Sequence, residues 1–76
     1  MNKARRACIE AIRTKIEELI GELAEIQSEE EEYRDNMPEN LQGSERYENA
    51  DAACTSLESA GCSLQEALDT LEEALQ

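Results

Sequence analysis

The stretch Asp35-Asn36-Met37-Pro38-Glu39-Asn40-Leu41-Gln42-Gly43-Ser44, residues 35–44, is the one interruption in an otherwise helical sequence of 76 residues. Pro38 has no amide hydrogen and disfavours helical geometry at Met37, while Asn36 accepts turn conformations. A helix arriving from the N-terminal side therefore ends near Asp35. Pro38 to Leu41 predicts one short helical turn with Pro38 at its first position, and Gly43-Ser44 predicts a stop followed by a second helix capped by Ser44. The connection is too short to carry the chain back along a long helix, so the two helices must run antiparallel. The predicted organisation is a single domain, 1–76, with helices over 2–35 and 44–75 and a turn over 36–43.

Working outward, Asn2 can cap the first helix, and no proline occurs before Pro38. Ile9, Ile12, Ile16, Leu19, Leu23, Ile26 and Tyr33 recur at alternating three- and four-residue steps, the seam of a heptad repeat, with Glu30 out of character. In the second helix Tyr47, Ala50, Cys54, Leu57, Gly61, Leu64, Leu68, Leu71 and Leu75 hold the same positions. Ala53, Ala60, Ala67 and Ala74 follow one another every seven residues beside them. Ser63-Leu64-Gln65-Glu66 resembles a capping box, but the heptad phase passes through Gly61 without a slip and predicts a continuous helix.

Setting Tyr33 against Tyr47 pairs Ile26 with Cys54, Leu23 with Leu57, Leu19 with Gly61, Ile16 with Leu64 and Ile12 with Leu68. Gly61 would then make room for Leu19 and Ile20. Lys3, Arg5 and Arg6 would come beside Glu72, Glu73 and the terminal carboxylate. The fold class is thus all-α, an antiparallel two-helix hairpin of coiled-coil type. Two helices of this size bury their seams only in part, against an ordering cost of about 1.5 kcal/mol per residue. A homodimer forming a four-helix bundle is therefore expected, with Ile20, Ala53, Ala60 and Ala67 in the contact.

Nineteen acids against seven bases give a formal net charge of −12. Such a field opposes direct binding to nucleic acid or to an anionic membrane and favours a basic partner protein. The apolar residues are interrupted by polar ones throughout, which excludes a membrane span or signal peptide and implies a soluble, cytoplasmic protein. With no His, no Cys-x-x-Cys pair and no EF-hand spacing, the sequence offers no metal site, cofactor site or catalytic set. Cys8, Cys54 and Cys62 are expected as reduced thiols, Cys54 in the core. It reads as a non-enzymatic protein that works by protein–protein interaction.

Two groups of residues are candidate partner-binding sites. Glu22, Glu25, Glu29 and Glu32 lie at three- and four-residue steps on one helix face, a spacing able to imitate a phosphate backbone. Glu39, Asn40 and Gln42 are displayed in the turn, where loops on a rigid scaffold commonly bind partners. The stretch from Glu32 to Arg46, with its Asp35-Asn36-Met37-Pro38-Glu39-Asn40-Leu41-Gln42 core and Ser44-Glu45-Arg46, resembles the signature of small acidic helical-hairpin proteins of Gram-positive bacteria, phages and mobile elements. That resemblance implies a hairpin in a bacterial host cell and carries no catalytic residue. With the acidic face, it suggests an alternative role as a phage- or mobile-element-encoded inhibitor that mimics nucleic acid against a basic host or defence enzyme.

Overall fold

A computed structural model describes all residues, Met1 to Gln76. It is an antiparallel helical hairpin, with α1 over Lys3–Asp35, one 3-10 turn over Glu39–Leu41, and α2 over Glu45–Ala74. The Asn2 side chain accepts the Arg5 amide at 2.7 Å and Ser44 Oγ accepts the Tyr47 amide at 3.3 Å, so each helix begins with a side chain satisfying an otherwise unpaired donor. The Ser44 hydroxyl also donates to the Leu41 carbonyl, which ties the turn to the start of α2. Pro38 stands just before the 3-10 turn, not inside it, and its carbonyl accepts the Leu41 amide at 2.9 Å. No glycine adopts positive φ, and α2 runs unbroken through Gly61.

On α2, every seam position from Tyr47 to Leu75 is buried or half-buried. On α1 the strip is displaced. Arg6, Ile9, Arg13, Ile16, Ile20, Leu23, Gln27, Glu30 and Arg34 are half-buried at alternating three- and four-residue steps, and Glu31 is half-buried at the edge of that strip. Ile9, Ile16 and Leu23 belong to the expected seam, but Ile12, Leu19, Ile26 and Tyr33 do not lie in it. They are 48, 48, 50 and 49% exposed. The helix is turned by about half the 100° that separates neighbouring residues, so its apolar stripe is divided between two directions. The expected pairing of Tyr33, Ile26, Leu19 and Ile12 with Tyr47, Cys54, Gly61 and Leu68 is corrected accordingly.

Arg6, Arg13, Gln27 and Arg34 fill the displaced strip because their methylene stems can lie over an apolar seam, although the Arg13 Nε is buried there without a hydrogen-bond partner. Arg34 bridges Asp35 and Asp51, each at 2.9 Å, and so joins the two helices next to the turn. At the other end Arg6 donates to the Leu75 carbonyl, an unpaired acceptor of the last turn of α2. The ion pairs expected between the basic start of α1 and Glu72 or Glu73 do not form, and this single hydrogen bond stands in their place.

The interior is slight. Only Met37, Ala50, Cys54 and Leu68 are buried, and α1 contributes none of them. Met37 closes the turn end, while Leu41 remains exposed. A β-carbon built on Gly61 or Gly21 meets nothing within 4 Å, so Gly61 does not accommodate Leu19 or Ile20.

Gly61→Ala should therefore stabilise the hairpin by about 0.5–1 kcal/mol, since alanine gains helix propensity without a clash. Ser44→Ala should cost about 0.5–2 kcal/mol by losing the cap. Thermal melts followed by circular dichroism check both.

Candidate functional site

Reversing one helix of a heptad pair brings like flanking positions together, which gives the hairpin two unlike sides. On one side Ile12, Leu19, Ile26 and Tyr33 of α1 run beside Ala53, Ala60, Ala67 and Ala74 of α2, each set repeating every seven residues. The residues next outward on α2 are Asn49, Ser56, Ser63 and Thr70, all exposed and all uncharged. The opposite side carries Glu10, Glu17 and Glu31 with Asp51, Glu58 and Glu72. The two sides are confirmed at the turn end, where Tyr33 shares a cleft with Arg46 on the first and Arg34 pairs with Asp51 on the second. In a chain with 34% charged residues, one long side is apolar along its middle, bordered by uncharged residues on α2 and by Lys15, Glu22 and Glu29 on α1.

The candidates for self-contact are placed as follows. Ala60 and Ala67 are exposed on this side and Ala53 is half-buried at its edge. Ile20 lies in the strip that faces α2, so the α1 contribution to the open side comes from Ile12, Leu19, Ile26 and Tyr33 instead.

Glu22, Glu25, Glu29 and Glu32 are all exposed and none has an ion-pair partner within 4.0 Å. Glu25 and Glu32 lie on the outermost surface of α1, and Glu22 and Glu29 border its apolar row. Glu39 and Asn40 sit in the 3-10 turn with Gln42 as its C-terminal cap, and all three are exposed. The structure brings neither group into a concave site.

A shallow, open cleft of about 420 Å³ lies instead beside the turn, lined by Glu30, Tyr33, Glu45, Arg46, Asn49 and Ala50. Glu30 interrupts the apolar pattern at this cleft. That break in periodicity was the one sequence signal for it, since no motif marks the other lining residues. No group of three Cys, Asp or Glu side chains is arranged to hold a metal ion. No helix is long and apolar enough to cross a membrane.

Cys54 is the one buried thiol, and Cys8 and Cys62 are exposed. Burial pushes the Cys54 thiol above its ordinary pKa of 9.0, and the carboxylates of Glu31, Glu30 and Asp51 add to the shift, against the opposing pull of Arg34. Arg34 itself is held more firmly in its charged form, chiefly by its hydrogen bond to Asp35 and also by Asp51.

No family model, no curated protein and no solved structure matches the chain.

The state of Cys54 has a consequence at alkaline pH. The folded chain holds the thiol proton to higher pH than the unfolded chain does, so this contribution to stability is complete below the ordinary thiol pKa and is lost as pH rises through the folded value. The fall in melting temperature between neutral pH and pH above 9.0 should be smaller for Cys54→Ala than for the wild type. Under native conditions a thiol reagent should label Cys8 and Cys62 rapidly and reach Cys54 only on unfolding.

Proposed function

We propose that this is a non-enzymatic protein that acts through protein–protein contact, using a rigid acidic hairpin to present a binding face, in the mobile-element setting suggested by its turn sequence. The observation that carries this reading is the exposed row Ile12, Leu19, Ile26 and Tyr33 beside a line of alanines. Apolar surface this continuous marks an interaction site, because leaving it in water forgoes about 25 cal/mol per Å² of available burial. Association with itself into a four-helix bundle is one such contact, and a basic host protein is a second partner.

A second reading is favoured by the unpaired carboxylates of Glu22, Glu25, Glu29 and Glu32, which leave a free acidic row along α1. In that reading the row imitates a phosphate backbone and occupies the nucleic-acid site of a host enzyme.

Affinity capture from bacterial cytoplasm at low and high salt separates the two. A partner that survives high salt and is lost with Leu19→Glu supports contact through the apolar face. A partner released by salt, competed by nucleic acid and lost when Glu25, Glu29 and Glu32 are changed to Gln supports mimicry. Recovery of no partner, from a chain that also shows no self-association, would contradict both.

A further inference from the structure

The open side has a shape, an area and a charge distribution that together specify its occupant. We propose that it is covered by a second copy of the chain, the two hairpins packing face to face about a twofold axis perpendicular to their length, with their turns at opposite ends. This rests on the reading of the protein as one that acts by contact, and it names the partner and the geometry.

Area comes first. The chain exposes 5635 Å², whereas a folded monomer of 8.5 kDa is expected to expose about 4,700 Å². The excess is close to the roughly 800 Å² that each partner contributes to a stable interface. Its radius of gyration of 17.4 Å and its extents of 60 × 15 × 14 Å describe an elongated rod, against about 11 Å for the radius of gyration of a compact domain of this length. A second rod laid along one side would cover that excess.

Charge then fixes the direction. Residues 17–60, the half of the hairpin towards the turn, hold fourteen acids and two bases, which is the whole formal net charge of −12. Residues 1–16 and 61–76, the open end, hold five acids and five bases. Two copies side by side with turns together would set one strongly anionic half on the other. Turning one copy end for end places each anionic half against a neutral one, which lowers the repulsion.

The residue pattern fits the same operation. A twofold axis between Leu19 and Ile26 brings Leu19 opposite Ile26 of the second copy and Ile12 opposite its Tyr33. Lys15 and Glu29, each seven residues from Glu22 along the flank of the row, then meet as opposite charges on both sides of the axis. Glu22 meets its own copy at the axis, the single like-charge contact of that flank. On α2 the axis passes near Ala60, and alanine faces alanine, so the second pair of helices can approach closely.

Sedimentation equilibrium of the full chain and disulfide trapping test the proposal. The wild type should have twice the 8.5 kDa chain mass at micromolar concentration. With Cys8 and Cys62 changed to Ser, Ala60→Cys should form a disulfide-linked dimer on mild oxidation, while Glu58→Cys on the charged side should not. Both are exposed positions in the hairpin, so neither change disturbs its packing. A folded monomer, or trapping through Glu58→Cys in preference to Ala60→Cys, would overturn the proposal. A folded monomer that still captures a host protein would overturn this assignment alone and leave the interaction reading in place.

Discussion

Two helices share a single interface, and a helix can turn only one strip of its surface towards a single neighbour. The apolar stripe of α1 is wider than that strip. Ile9, Ile16 and Leu23 meet α2, and Ile12, Leu19, Ile26 and Tyr33 are left along the side. Most of what distinguishes this hairpin follows from that mismatch. It accounts for the absence of any buried residue in α1, the long amphipathic side chains that complete its seam, and the apolar side bordered by the alanines of α2.

The polar features organise around the same division. Arg34 closes the turn end on the charged side through Asp51, and Arg6 closes the open end through the Leu75 carbonyl. A surface ion pair contributes about 0–1 kcal/mol and a single hydrogen bond a similar net amount of about 0.5–1.5 kcal/mol, so these contacts set the register of the ends more than they stabilise the fold. Stability must come from apolar burial, and the isolated hairpin leaves much of its apolar surface in water. The face that could be covered is also the face with least charge. A molecule packed on that side would extend the core of the hairpin.

The all-helical hairpin was legible in the sequence from a few residues with unambiguous local effects. Asn2 and Ser44 have side chains that cap, Pro38 cannot continue a helix, and the α2 seam repeats without a slip from Tyr47 to Leu75. The rotation of α1 was not legible, because Ile12, Leu19, Ile26 and Tyr33 satisfy the heptad spacing as well as the half-buried positions do. Periodicity reports a stripe, and only the packed partner decides which edge of it is used. The expected role of Gly61 failed for the same reason, since it depended on Leu19 facing α2. Among the candidate sites, the exposure of the glutamate row followed from helical spacing alone. The cleft at Tyr33 and Arg46 arises from two helices meeting beside a turn and had no signal beyond Glu30.

The central claim is that the hairpin reaches its full stability only when the apolar side of α1 and α2 is covered by another copy. The dependence of melting temperature on chain concentration tests this most directly, because folding coupled to association shifts with mass action. The account predicts a rise of about 3–6 °C for each tenfold increase in concentration. A cooperative transition at the same temperature throughout the concentration range would contradict it.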